Sequence, residues 1–294
     1  MTSGTPKAEV DIDEPLIRQL LASQFPDLAS LPLQQVDAGW DNQMYRLGAN
    51  HAVRMPIRAS AIPYLNSEQK WLPIIAPRLT LPAPVPFYIG EPEFGFPWRW
   101  SLVPWFDGQT ADSQPPNSDQ IIPWIEFLRA LHQPAPDDAP VNDARGVPLQ
   151  ERASSVNERL DRLRSKSDSV TPAIDHIWSE ALEANQSSER LWLHGDTHAR
   201  NILVKNGKIT AVLDWGDMTA GDVASDLASI WMLFEEPQAR REGVAAYGVS
   251  PALLARTKGW AVLFASILLD TGLVDHPRHA EMGRTTFRRL SEDG

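Results

Sequence analysis

Leu191–Ala228 reads LWLHGDTHARNILVKNGKITAVLDWGDMTAGDVASDLA, and the architecture turns on this stretch. Asn206-Gly207 sits between two alternating apolar runs, and that dipeptide signals a hairpin because a tight turn needs positive φ at both central residues. The hairpin spans Asn201–Trp215, so its two ends meet and Asn201 and Asp214 become neighbours. An amide oxygen beside a carboxylate, both at strand ends, is a hard-ligand pair suited to Mg²⁺. Asp196 follows an apolar stretch and His194-Gly195, on a loop after a strand or helix. There it is placed to orient a hydroxyl or take its proton. Each element alone has a plainer reading. A single Asp at a strand end commonly forms a turn or a helix cap, and a lone His commonly hydrogen-bonds within the structure. The order of the whole set exceeds those readings: H-G-D, Asn five residues on, a hairpin, L-D-W, then G-D and D-L-A.

Working outward, the rest of the second part of the chain is helical. Apolar spacing predicts helices over Ser118–Leu131, Gln150–Arg164, Thr171–Ala184, Val223–Phe234, Pro251–Leu269 and His279–Leu290. Gly108–Pro116, polar and proline-rich, reads as a linker or hinge. The first third has a different texture. Asp13–Phe25 carries an acidic start, Pro15 in the first turn and Leu16, Ile17, Leu20 and Leu21 at helical spacing. Gln35–Ile57 reads as two or three antiparallel strands broken by Gly39, Gly48 and Asn50. Pro63–Ala76 is helical despite Pro73. PVPFYIG and WRWSLVPWF read as strands flanking a turn at Glu91–Pro97. The plan is therefore α+β, with a small antiparallel-sheet lobe at 1–105 and a larger, mostly helical lobe at 106–294.

The chain has 294 residues, a net charge of −11, 11 tryptophans, 25 prolines and no cysteine. That length supports one or two domains with a real core. Without cysteine there is no disulfide framework, thiolate metal site or cysteine nucleophile. The acidic balance argues against a nucleic-acid partner, which needs a basic face. The N-terminus lacks a basic start and an apolar run, so no signal peptide is expected. The longest apolar run, Trp260–Leu269, is short of a bilayer span, so no membrane partner is expected. A cytoplasmic protein follows as the expectation. Nothing in the sequence speaks to oligomeric state.

The quoted motifs resemble the aminoglycoside phosphotransferase family, a branch of the protein-kinase-like superfamily. That family's catalytic loop reads H-G-D-x-x-x-x-N, and here it is His194–Asn201. Its metal motif reads [IL]-D-[WF], standing where protein kinases have D-F-G, and here it is Leu213–Trp215. The downstream GDVASDLA resembles G-D-P-x-x-D-L-A. The resemblance implies a bilobal kinase-like fold, with Asp196 as catalytic base and with Asn201 and Asp214 holding Mg²⁺. It implies that Asp222 caps the next helix and that Asp226 braces the catalytic loop, with His194 in support. In the first lobe it implies a phosphate loop at Gly39, Trp40, Asp41 and Asn42. A cation should stand on the strand after next, where Arg54 occupies the family's usual lysine position. Glu68 on the following helix should hold that cation. The plain reading of Arg54–Glu68 is a surface ion pair. The backbone at Leu102, Val103, Pro104 and Trp105 should face the adenine.

The activity implied is transfer of the γ-phosphate of ATP or GTP to a hydroxyl of a small molecule, such as an aminoglycoside or macrolide antibiotic. A metabolic kinase of the choline, homoserine or methylthioribose type is the alternative. A non-enzymatic nucleotide-binding protein on the same fold is the second alternative. Candidate acceptor residues are His198, Arg200, Asp217, Trp231, Glu235, Glu236 and Asp270. Trp231 also has core spacing with Leu227 and Phe234, and Arg200 would repel a polycation.

Overall fold

The computed structural model describes residues 7–38 and 41–293. Two compact units emerge from the chain, one formed by 7–77 with 82–107, the other by 108–293 with 78–81.

The first unit is an antiparallel five-stranded sheet with two helices. Helix α1 (Glu14–Gln24) starts where Asp13 accepts the Leu16 N–H at 2.9 Å, with Pro15 in its first turn. Strands β1 (Leu33–Ala38), β2 (Asn42–Leu47) and β3 (His51–Pro56) form the three-stranded reading of the 35–57 region. After α2 (Ile62–Ile75) come β4 (Tyr88–Gly90) and β5 (Trp100–Pro104), giving the spatial order β1-β2-β3-β5-β4. Ile17, Leu20 and Leu21 of α1 pack on Tyr45, Leu47, Val53, Met55, Trp100 and Leu102 to form the core of this unit. Pro73 lies inside α2 without ending it.

The second unit holds β6 (Gln109–Thr110), α3 (Ile121–Leu131), α4 (Leu149–Arg164), α5 (Pro172–Glu183), β7 (Leu191–Leu193), β8 (Ile202–Lys205), β9 (Lys208–Val212) and β10 (Thr219–Gly221). It continues through α6 (Ala224–Leu227), α7 (Ser229–Leu233), α8 (Pro237–Tyr247), α9 (Pro251–Asp275) and α10 (Pro277–Glu292). Two small sheets, β6-β8-β9 and β7-β10, carry the motif region among these helices. Asn206 and Gly207 take φ of 54° and 75°, closing the β8–β9 hairpin as the sequence predicts.

Four expectations change. The 108–116 segment is no loose linker: β6 pairs with β8, and Arg278 donates to Asp112 at 2.8 Å. The helix expected at Val223–Phe234 is two short helices. The Asp226 carbonyl accepts from the Thr197 and Ser229 hydroxyls, and these bonds compete with the helical ladder at that turn. Helix α8 was not anticipated, although Pro237 opens it and Gly248, at φ 79°, closes it in the left-handed conformation. The apolar run at 260–269 belongs to a 25-residue helix that is long and apolar enough to cross a bilayer by length and composition. Two-thirds of its most apolar window is buried within the protein, against helices that include α10, α5, α4 and α6.

Candidate active site

Strand β7 delivers the chain to His194-Gly195-Asp196. Gly195 adopts φ 84°, and a Cβ there would meet the Asp217 carbonyl oxygen at 2.4 Å, so glycine alone fits this turn. The turn is held from beneath by Asp226, whose fully buried carboxylate accepts the His194 and Gly195 N–H groups at 2.8 Å each. His132, at the end of α3, lies 3.3 Å from the same carboxylate and contacts the Tyr247 hydroxyl at 2.8 Å. Burial then keeps the Tyr247 hydroxyl protonated well above its usual range.

His194 joins the two motifs. Its Nε2 bonds the Leu213 carbonyl at 2.9 Å, and its Nδ1 lies 3.2 Å from the Asp196 N–H. Those contacts fix the tautomer with the proton on Nε2. The Leu213 N–H in turn donates to the Asn201 carbonyl at 2.7 Å. Asn201 and the Leu213–Asp214 corner are thus brought side by side, as the hairpin argument requires. Asp214 is exposed and sits at φ 55°. A non-glycine residue in that region is uncommon, and Asp tolerates it better than most.

The Asn201 Nδ2 donates to the Asp196 carbonyl at 2.8 Å and approaches its Oδ2 at 3.4 Å. With its nitrogen so used, the amide turns its oxygen to other partners. That oxygen and the exposed Asp214 carboxylate are an all-oxygen donor set of the kind that would suit Mg²⁺. The residues present therefore fit the ion.

The Asp196 carboxylate is flanked by Arg145 at 3.4 Å and by His198 Nε2 at 3.4 Å. Burial alone would raise its pKa. His198, Arg145, His194 and the Asn201 amide outweigh that and hold it below the usual carboxylate range. Arg145 also reaches Asp217 at 3.6 Å, and Asn142 donates to Asp217 at 2.8 Å. Even so, burial and the neighbouring Asp196 and Asp214 push the Asp217 carboxyl up, against the pull of Arg145. The Arg145 guanidinium lies over the Phe264 ring at 5.1 Å. Asn142 and Arg145 sit in a motif-free stretch, and no sequence signal marks them.

Asp222 accepts the Ala224 N–H at the start of α6, and it also receives a buried Arg256 at 2.6 Å and 3.3 Å. Among the acceptor candidates, several side chains are engaged elsewhere. Trp231 is buried and donates to Asp293 at 3.0 Å, so it is a core residue and not an acceptor wall. Glu235 is clamped by Arg288 at 2.6 Å and Arg289 at 2.9 Å. Asp270 is held by Arg162 at 2.6 Å. Glu236 precedes α8 as its N-terminal flanking residue. The Arg200 guanidinium is turned to His279 at 3.0 Å and His276 at 3.3 Å, whose rings stack at 3.8 Å.

In the first unit, Arg54 on β3 and Glu68 on α2 form an ion pair, and both are buried rather than on the surface. Asp41 closes on Arg58, with Nε to Oδ1 at 2.6 Å, and Asn42 begins β2. Gly39 and Trp40 lie outside the described residues. Leu102 and Val103 are buried in β5, where the Leu102 carbonyl accepts from Phe87. The Trp105 N–H donates to the Asn50 carbonyl at 2.8 Å, so it is not open to a purine edge. The Trp105 ring carries the Arg46 guanidinium at 4.9 Å.

Residues 32–260 match the profile of the phosphotransferase enzyme family (APH). The chain belongs to this family. The match takes in both the Arg54–Glu68 pair and the Asp196 loop. A hygromycin-B 4-O-kinase of Escherichia coli is 35% identical over 131 residues, 43% of this chain and 32% of that protein. The uncharacterized protein YcbJ of Bacillus subtilis (strain 168) is 21% identical over 212 residues, 66% of each chain. The chain thus matches less than two-thirds of the length of these curated relatives. Among solved structures, the GDP complex of aminoglycoside 2'-phosphotransferase-IIIa superposes with a TM-score of 0.70 at 16% identity, covering 96% of this chain and 100% of that one. Macrolide 2'-phosphotransferase MphH from Brachybacterium faecium gives 0.59 at 18% identity, covering 94% and 98%. These likenesses establish the phosphotransferase family's α+β kinase-like fold.

Proposed function

We propose that the protein transfers the γ-phosphoryl group of a nucleoside triphosphate, ATP or GTP, to a hydroxyl of a small molecule. The observation that carries this reading is the arrangement at Asp196. Its carboxylate is kept ionised, oriented by Asn201 and set on a turn that Asp226 holds rigid. Phosphoryl transfer passes through a loose, anionic transition state, so catalysis is mostly positioning and charge neutralisation. Asp196 orients the acceptor hydroxyl for in-line attack and accepts its proton as the new O–P bond forms and the bond to the leaving diphosphate breaks. Asn201 and Asp214 would hold Mg²⁺, which supplies neutralising charge on the phosphates. Arg54, kept in place by Glu68, adds a fixed positive charge in the nucleotide-binding unit. Asp41, Asn42 and the backbone at Val103 and Pro104 are further candidate nucleotide contacts of that unit.

Several similar proteins are named as a hygromycin-B kinase or as aminoglycoside or macrolide phosphotransferases, and an antibiotic or a metabolic alcohol is the acceptor class to screen here. The non-enzymatic alternative is disfavoured because Asp196, Asn201 and Asp214 are all present at the motif positions. The test is a thermal-shift panel with Mg·ATP and Mg·GTP, followed by hydroxyl compounds with and without amino groups. Ligands that bind the native state must raise its stability by mass action. A rise with either nucleotide, and product formation that disappears in Asp196→Ala, is the expected result. No response to either nucleotide would remove the phosphotransferase reading.

A further inference from the structure

Three of the acidic acceptor candidates already have side-chain partners. Asp270 pairs with Arg162, Glu235 with Arg288 and Arg289, and Asp217 with Asn142 and Arg145. The reverse does not hold. In a chain of net charge −11, three arginines follow one another from Asp196, and the second and third have no acid paired with them among the described residues. Arg145 is the first, 3.4 Å from the Asp196 carboxylate. Arg152 and Arg159 follow on α4, seven residues apart. That spacing is two helical turns, so both project from one face, about 10 Å apart along the axis.

Neither Arg152 nor Arg159 has a carboxylate within ion-pair distance among the described residues. The Arg152 Nε is buried and makes no hydrogen bond. Arg159 donates only to the Ser155 carbonyl of its own helix at 3.3 Å. Both side chains are half-buried. Burial lowers the pKa of each. Arg145 lowers that of Arg152 further and Arg152 that of Arg159, while Asp143 and then Asp270 and Glu158 oppose this from a distance. Arg152 and Arg159 are half-buried like charges with no paired acid to offset them, which is unfavourable in an isolated protein. A bound anion relieves that cost, and guanidinium groups are suited to grip carboxylate or phosphate through paired N–H bonds. Arg145 rests on the Phe264 ring, which fixes where the row begins.

We propose that Arg152 and Arg159 form an anion subsite of the acceptor pocket, and that the acceptor is a hydroxyl compound bearing a carboxylate or phosphate, not a polycation. This rests on the phosphotransferase reading above, with Arg145 at the junction between the anion subsite and the Asp196 base. Carboxylate and phosphate share the chemistry the row recognises, and the two are separate arms of the test.

The test titrates the full-length protein, in the presence of Mg²⁺ and a non-hydrolysable ATP analogue, with four probes: inorganic phosphate, glycerol 3-phosphate, gluconate and kanamycin. Calorimetry and thermal shift are the readouts, so no turnover is needed. Wild type should bind at least one organic anion more tightly than kanamycin. Arg152→Gln with Arg159→Gln should weaken that binding by about tenfold per arginine removed, as loss of a charge-assisted hydrogen bond implies. The melting shift given by the nucleotide analogue should be unchanged in that variant. Arg152→Glu with Arg159→Glu should reverse the preference toward kanamycin. Kanamycin binding wild type as tightly as the anions, or anions binding the glutamine variant undiminished, overturns the proposal. Loss of the nucleotide shift in wild type itself would instead overturn the phosphotransferase reading, so the two failures are separate. Gluconate alone responding assigns a carboxylate acceptor, and glycerol 3-phosphate alone a phosphorylated one. Inorganic phosphate binding alone, without either organic anion, counts against an acceptor subsite.

Discussion

Asp196 and Asp226 are carboxylates of the same segment, and the structure treats them oppositely. Asp226 is fully buried and takes two backbone N–H groups at 2.8 Å. Asp196 remains partly open, with Arg145 and His198 at 3.4 Å. Short bonds to backbone hold a carboxylate still, and longer contacts to side-chain cations keep it ionised while leaving its lone pairs accessible. The rigid acid positions the turn, and the proposed function gives the chemistry to the loosely held one. The two should therefore fail differently when removed.

The largest expected effect is on turnover. Asp196→Ala should cost about 10²–10⁴-fold in kcat, the usual worth of a general base, with little change in melting temperature or in nucleotide affinity. Steady-state kinetics beside thermal melts separate these quantities. A large drop in stability would blur the contrast with Asp226.

Asp226→Ala should do the reverse. It strands two buried N–H groups and His132, so unfolding free energy should fall by about 3–5 kcal/mol in denaturant titrations. A variant as stable as wild type would show that the turn does not depend on this acid.

His279 gives a pH test of the same surroundings. It is buried, and desolvation, with His276, Arg200 and His198 nearby, lowers its pKa from 6.5 to about 4. The folded state thus binds the proton less well than the unfolded chain. Its stabilising effect is complete above about pH 6.5 and is lost as pH falls toward 4, by about 3 kcal/mol in all. Urea melts at several pH values should show a shallower acid slope for His279→Gln than for wild type. Identical slopes would remove His279 from the explanation.

The smallest effect tests the brace from behind. Trp124 donates to the Ser229 hydroxyl, which donates to the Asp226 carbonyl. Ser229→Ala should cost about 1–2 kcal/mol, since it leaves the indole N–H buried and unpaired. Chemical denaturation checks it, and a neutral result would mean that the indole finds another acceptor.

How much of this was legible in the sequence follows from distance along the chain. Asp196, Asn201 and Asp214 lie within one hairpin and its approach, so turn chemistry alone brings them together. Asp226 was legible through its motif. Arg54 and Glu68 were picked out through the family resemblance, although their burial was not visible. Arg145, Asn142, His132 and Tyr247 reach the site from segments that carry no motif, and only tertiary packing selects them. Helix α8 escaped because Arg240, Arg241 and Glu242 interrupt its apolar pattern, leaving the Pro237 and Gly248 ends as its only signals. Gly108–Pro116 misled because proline-rich polar sequence describes an edge strand held by side chains as well as it describes a hinge.

The most direct test of Asp196 as the base of a phosphotransferase is a paired measurement on wild type and Asp196→Asn. Each is incubated with Mg·ATP or Mg·GTP and a panel of hydroxyl compounds, and phosphorylated product is read by mass spectrometry beside the nucleotide-induced melting shift. Wild type should form product from at least one compound, and Asp196→Asn should form almost none while keeping the nucleotide shift. Equal product from both proteins, or no nucleotide shift in either, would contradict it.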